Sequence, residues 1–389
     1  MKINNPYRPG AGLMPTFLAG REDIIKNANI SFSALMNQIP VQSIAYTGYR
    51  GVGKTVLLNK LQEIAENDYD IDCYHIEVAK AGSFISKVSD SCKKFLREHS
   101  TSEKAKNLFN KALESLKALE ITYNPNNSEF SLSLQDQLLY TNADMSQSLQ
   151  DLFESIGAIA KRKKTAICFF IDEFQYSDQE EMDAFISALH RANQLAIPIM
   201  ALCAGTPDML KMLRKEKTYV ERLFLFPRLD LLSADEVATA IAEPGKSVGL
   251  IYTDDALKEI YEITKGYPYF VQQYGQIVFN NCEADEAVDK KSIDFLKVEY
   301  LKVLDENFYM IRFEERGDLE KECLFAMSKA TELPCTVAFI ASELKKSTKQ
   351  IAPTLARLKN RGIITYENIG EVDFTVPGFD DYLRRKIVL

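Results

Sequence analysis

The residues most able to do chemistry form one contiguous stretch, Gly48–Tyr49–Arg50–Gly51–Val52–Gly53–Lys54–Thr55. It fits the pattern GxxxxGK[ST]. Glycines at these places let the backbone fold around phosphate oxygens with its amide groups pointing inward. Lys54 then reaches the β- and γ-phosphates, and the Thr55 hydroxyl ligates Mg²⁺. Gln42–Thr47 before the loop reads as a short apolar strand. Val56 opens the repeat Val56, Leu57, Leu58, Leu61, Ile64, which has helical spacing. Strand, loop, helix is the context this pattern requires, and it implies ATP with Mg²⁺ at Gly48–Val56.

A second constellation is Asp172–Glu173, which follows the apolar run Ile167–Ile171. A fully apolar run of this length suits a central parallel strand. In a doubly wound sheet both carboxylates then sit at the carboxyl edge, beside the loop. Asp172 would hold Mg²⁺ through water, and Glu173 would orient or deprotonate the attacking water. The competing reading is an acidic pair capping the next helix.

These groups need a scaffold. Strand candidates at 42–47, 73–78, 167–171, 198–204 and 223–226 alternate with helical patterns, so the fold class is α/β with a doubly wound parallel sheet. Residues 83–134 are read as an insertion. Their first part has helical period, and Ile121–Thr122–Tyr123 with Phe130–Leu134 across Asn124–Pro125–Asn126–Asn127 is expected to form a hairpin. Residues 1–20, rich in Pro and Gly, form an irregular arm before a helix near Arg21–Glu22. The expected domains are a P-loop core over 1–228, a small all-α lid over 229–312, opened by the capping box Ser233–Glu236, and a third unit over 313–389.

In that third unit Val337, Ile340 and Leu344 mark a short helix with Thr336 as cap, and Ser347–Thr348 make a turn and a second cap. Ile351, Leu355 and Leu358 form the core face of a second helix, which Gly362 ends. Two short strands follow, at 362–366 and 372–376. This is the spacing of a helix-turn-helix with a wing. Pro353 is tolerable only if it lies near the helix start. Residues 321–389 carry eleven basic and eight acidic residues, net +3, so with −8 overall the rest of the chain carries −11. Lys345, Lys346, Lys349, Arg357, Lys359 and Arg361 crowd onto the helix-turn-helix, the distribution expected for contact with duplex DNA. Glu367, Glu371 and Asp373 on the wing oppose it.

Composition excludes several classes. The chain has 389 residues, 46% hydrophobic and 26% charged, which is globular rather than disordered. Three histidines and no HExxH speak against a catalytic zinc site. Seven widely spaced cysteines without a CxxC suggest reduced thiols. MKINNPYRPG has no apolar h-region, and the longest apolar stretches are far short of a membrane span, so a cytoplasmic protein is expected.

A P-loop, a strand ending in Asp172–Glu173 and an α-helical unit together resemble AAA+ ATPases. Phe17–Leu18–Ala19–Gly20–Arg21–Glu22 resembles the GRE box of origin-recognition-type initiator ATPases and their bacterial relatives, and the C-terminal segment is similar to their winged helix. This resemblance implies a slow, assembly- or partner-stimulated ATPase that couples ATP to DNA binding. It also implies a polar sensor after the fourth strand, for which Thr206 is the candidate, unless Thr206–Pro207 simply starts a helix. It implies an arginine finger before the fifth strand, at Arg222 or else Arg228, acting on a neighbour in a homo-oligomer; the alternative for Arg222 is a local carboxylate partner. Gly266–Tyr267–Pro268 is similar to a lid GxP that touches the nucleotide base, or is merely a helix stop. No lid arginine stands out as a nucleotide sensor. Two other functions remain open. One is a signalling NTPase whose winged helix binds protein. The other is a transposition-associated ATPase, which the Gly205–Asp208 segment also resembles.

Overall fold

The structure is a computed structural model, describing residues 4–80, 82–99, 106–123, 144–214, 219–283 and 287–387. Five parallel strands, β1 (Ser43–Thr47), β2 (Asp72–Glu77), β3 (Ile167–Asp172), β4 (Ile199–Gly205) and β5 (Phe224–Leu225), form one sheet in the order β2-β3-β4-β1-β5. β1, β3 and β4 are buried at every position. That is why Ile167–Ile171 reads as an unbroken apolar run rather than an alternating one. β4 lies between β1 and β3, and the chain enters the sheet at β1 and crosses to β2 before returning. The carboxyl ends of β1, β3 and β4 therefore converge beside the turn after β1.

Around this sheet run α1 (Glu22–Met36), α2 (Lys54–Tyr69), α3 (Phe84–His99), α4 (Lys106–Tyr123), α5 (Met145–Lys163), α6 (Gln179–Gln194), α7 (Asp208–Arg214) and α8 (Val220–Leu223). The region expected to be an insertion supplies core. Phe84, Phe95, Leu116 and Leu119 join the apolar cluster that also holds Phe153, Phe169 and Phe185. Phe153 stacks on Phe169 at 5.5 Å between ring centroids. The start of α3 is held from a distance: a Glu181 carboxylate oxygen accepts the Phe84 amide proton at 2.8 Å. The expected hairpin is wrong in its first half. Ile121–Thr122–Tyr123 end α4, so helix continuation overrides their β-branched and aromatic preference. Its second half, 130–134, lies outside the described residues.

The chain divides into two compact units. One comprises 21–48 and 53–229; the other comprises 1–20, 49–52 and 230–389. The arm 1–20 thus groups with the C-terminal half rather than with the expected core over 1–228. Its anchor is Tyr7, 1% exposed, whose hydroxyl donates to the Ile241 carbonyl at 2.7 Å. In this unit follow α9 (Ala234–Lys246), α10 (Asp254–Thr264), α11 (Pro268–Asn281), α12 (Lys290–Leu304), α13 (Met310–Glu314), α14 (Asp318–Ser328), α15 (Val337–Glu343), α16 (Thr348–Asn360) and α17 (Phe379–Ile387). The Ser233–Glu236 capping box opens α9, with the Ser233 amide donating to Glu236 at 2.6 Å. A two-residue parallel pair, β6 (Ile251–Tyr252) with β7 (Ala287–Val288), interrupts the otherwise helical segment.

β8 (Cys335–Thr336), β9 (Ile364–Asn368) and β10 (Glu371–Phe374) form an antiparallel sheet in the order β8-β10-β9. β8 and α17 add to the expected helices and hairpin. Thr336 caps α15 and Ser347 caps α16 in a capping box with Gln350. Pro353 falls in the second turn of α16, where its ring is exposed to solvent. One continuous apolar cluster joins Tyr7 and Ala19 to residues from Leu232 through Leu383, so the expected boundary near 312 does not divide the core of this unit.

Candidate functional site

The turn after β1 becomes the site because its backbone goes where side chains oppose it. Gly51 and Gly53 have φ of +82° and +92°, a region costly for any residue with a Cβ. Gly53 is the left-handed cap from which α2 starts, so the free amide groups of that helix face the loop. Lys54 is 6% exposed, and its ammonium donates to the Gly48 carbonyl at 2.9 Å, closing the loop on itself. The Thr55 hydroxyl donates to Asp172 Oδ2 at 2.5 Å. Asp172, 4% exposed, also accepts the Glu173 amide proton at 2.8 Å through Oδ1. The loop and the carboxyl end of β3, 117 residues apart in sequence, are thus in direct contact.

Glu173 is not a residue of β3. It stands in the left-handed region, φ +54°, and begins a 3₁₀ turn over Phe174–Tyr176. A glutamate gains nothing locally from that conformation; such positions persist where the surrounding structure enforces them. Its carboxylate accepts a short hydrogen bond from Gln175 Nε2. Gln175 Oε1 in turn accepts the Thr206 amide proton at 3.0 Å. Thr206 is therefore joined to the centre through its backbone. It also precedes α7, its carbonyl accepting the Met209 amide proton at 2.9 Å.

Among the described residues no group of three or more His, Cys, Asp or Glu side chains could hold a metal. The hydroxyl–carboxylate pair Thr55–Asp172 is a set of hard oxygen donors. That fits Mg²⁺, which keeps waters and shares its shell with phosphate oxygens. The buried ammonium and the glycine turn fit the phosphates themselves.

Arg222 is elsewhere. β5 pairs with β1 in the register Ser43–Phe224, so Arg222 lies at the amino edge of the sheet, away from the carboxyl ends that carry Lys54 and Asp172. It is exposed, and its carbonyl accepts from Gln42 Nε2 at 2.9 Å. The neighbouring Glu221 faces Arg214 at 3.8 Å rather than Arg222. The backbone of Arg228 bridges to Thr47. Pro268 is the first residue of α11 in the other unit. Within that unit the Tyr267 hydroxyl donates to the Arg50 carbonyl at 3.2 Å. Arg312, in α13 of that unit, is half-buried; desolvation holds its guanidinium below the usual arginine range, and it lies 3.6 Å from the Phe308 ring centre.

The basic cluster at 345–361 splits into two kinds. Glu320, 4% exposed, accepts from Arg357 Nε at 3.2 Å and from Arg361 Nη1 at 2.8 Å. Those two guanidinium groups bind α16 to α14. Lys345, Lys346 and Lys349 are exposed. The β9–β10 turn ends in a fully exposed Ile369.

Residues 18–202 match the AAA ATPase domain. Residues 306–383 match a domain of unknown function (DUF8462). No curated protein matches the chain. Among solved structures, the Walker-type ATPase PABY2304 of Pyrococcus abyssi shares the fold, with a TM-score of 0.57 and 15% identity over 97% of this chain and 98% of that one. Cdc6p of Pyrobaculum aerophilum is similar at a TM-score of 0.46, with 15% identity over 97% of each chain. The RuvB Holliday junction branch migration motor of Thermotoga maritima is similar at 0.47, with 13% identity over 96% of this chain and 99% of that one. The P-loop NTPase fold and the AAA ATPase domain thus stand together over the loop and the Asp172–Glu173 edge. No helix among the described residues is long and apolar enough to cross a membrane.

Proposed function

We propose that this protein binds Mg-ATP at Gly48–Val56 and hydrolyses it. The single observation that carries the reading is the hydrogen bond from Thr55 to Asp172, with Lys54 buried at the same turn. Lys54 would contact the β- and γ-phosphates, and Thr55 and Asp172 would hold Mg²⁺, which when bound neutralises phosphate charge. Glu173 would take the proton of the attacking water. The water oxygen bonds to the γ-phosphorus, the bond to the bridging oxygen breaks, and its electron pair leaves with ADP. Thr206 has its backbone tied to this centre and would contact the γ-phosphate or the water through its hydroxyl. Pro268 would contact the base. Turnover would be slow until a partner or neighbouring copy completes the site, and Arg222, on the far edge of the sheet, would act as an arginine finger only on another copy.

The expected outcome for Glu173→Gln is unchanged ATP affinity with phosphate release reduced about a hundredfold or more. Intact turnover would refute the assignment of Glu173.

The segment 313–389 we read as a winged helix that binds duplex DNA through Lys345, Lys346 and Lys349, together with Lys359 nearer the far end of the helix that carries Lys349. Arg357 and Arg361, engaged by Glu320, contribute less than their charge suggests. The initiator-like switch, in which ATP governs the placement of this segment on DNA, is the leading form of the proposal. A protein partner is the second reading, favoured by the exposed Ile369 between acidic strands.

A further inference from the structure

Gln175 has no role in the reading above, yet it holds three parts of the site. Its side-chain amide lies between the Glu173 carboxylate and the Thr206 backbone. The orientation of an amide is settled by its partners, and here the partners leave no choice. The Thr206 N–H can only donate, so it must meet the amide oxygen. The amide nitrogen must then point at Glu173, a carboxylate that can accept. The packing is tight as well. A Cβ on Gly205 would come 2.6 Å from Gln175 Oε1, so the glycine at the end of β4 makes space for the amide. The carbonyl of the same Gly205 accepts the Gly48 amide proton at 3.2 Å, at the first residue of the phosphate loop. One side chain thus ties the end of β3, the end of β4 and, through Gly205, the start of the loop. It does so at the residue whose backbone is the least relaxed of the site, Glu173.

We propose that Gln175 is a positioning residue for hydrolysis: it fixes the Glu173 carboxylate and couples it to the segment carrying Thr206. A free glutamate in a left-handed turn samples several rotamers. A charge-assisted hydrogen bond from a clamped donor removes that freedom, and a base acts efficiently only when held within reach of the proton it takes. The proposal rests on Glu173 as the group that activates water.

The test is steady-state ATP hydrolysis by the full chain for wild type, Gln175→Ala, Gln175→Glu, Glu173→Gln and the Glu173→Gln/Gln175→Ala double variant, with ATP affinity and melting temperature measured for each. Gln175→Ala should lower kcat about tenfold or more, the loss of one charge-assisted hydrogen bond, with ATP affinity and melting temperature unchanged. Gln175→Glu keeps the shape and an acceptor for Thr206 but sets a second carboxylate against Glu173. It should lower kcat at least as far as Gln175→Ala with ATP affinity unchanged, because the donor to Glu173 is lost and replaced by a like charge, and it serves where the alanine variant does not fold. The double variant should be no slower than Glu173→Gln alone, since the clamp then has no base to hold. Wild-type or faster turnover in Gln175→Ala or in Gln175→Glu, or losses that multiply in the double variant, would each overturn the proposal. Wild-type turnover in Glu173→Gln would instead sink the reading on which it rests.

Discussion

Two regions of this chain concentrate charge, and they use it in opposite ways. At the carboxyl edge of the sheet, Lys54, Asp172 and Glu173 meet around one turn, two of them buried. In the C-terminal unit six basic residues share seventeen positions of sequence, 345–361, yet Arg357 and Arg361 are engaged by the buried Glu320 while Lys345, Lys346 and Lys349 are exposed. A motif with fixed spacing predicts convergence because the backbone between its residues is short and its geometry is set locally. A count of charges predicts only a total, because a single buried carboxylate can consume two of them.

The strongest way to break this contrast is at Lys54. Lys54→Ala should weaken ATP binding about a hundredfold or more, the scale expected when a buried, charge-assisted contact to phosphate is lost, measured by titration calorimetry. Binding within a fewfold of wild type would mean that burial of Lys54 serves the fold alone. In the other region, replacing Lys345, Lys346 and Lys349 together by Ala should lower the salt dependence of duplex DNA binding by about 3 in slope, about 1 per lysine. Arg357→Lys should leave that slope nearly unchanged. Mobility shifts at two salt concentrations, with and without ATP, decide it, and an absence of salt-sensitive binding in the wild type removes the DNA reading. The smallest effect is expected at Glu320. Glu320→Ala should cost about 1–2 kcal/mol of stability, less than a fully buried ion pair because both arginines are half-exposed. A denaturant titration measures it. A neutral result would mean that Arg357 and Arg361 are not held by Glu320 and belong with the exposed lysines.

Much of the core was readable in the amino-acid string. Strands β3 and β4 announced themselves because a strand buried on both faces must be apolar throughout, and 167–171 and 199–204 are. The caps at Ser233, Thr336 and Ser347 were equally plain, since a side chain three residues from the amide it satisfies is a local matter. Local pattern was not enough where distant partners set the conformation. Ile121–Thr122–Tyr123 have strand-like side chains but finish a helix whose preceding turns, at Leu116 and Leu119, are already buried. The arm 1–20 looked like a lead-in to the core, yet Tyr7 is anchored 234 residues away at Ile241.

Local sequence was enough to specify the phosphate loop, the strand that ends in Asp172 and the helix that follows Gly53, because each depends on neighbours within a few residues. Long-range packing set the place of β4 between β1 and β3, the reach of Gln175 to both Glu173 and Thr206, and the capture of Arg357 and Arg361 by Glu320. Each of those contacts joins groups on separate elements, and their partnership is set by how the elements pack. No spacing within a single segment encodes it.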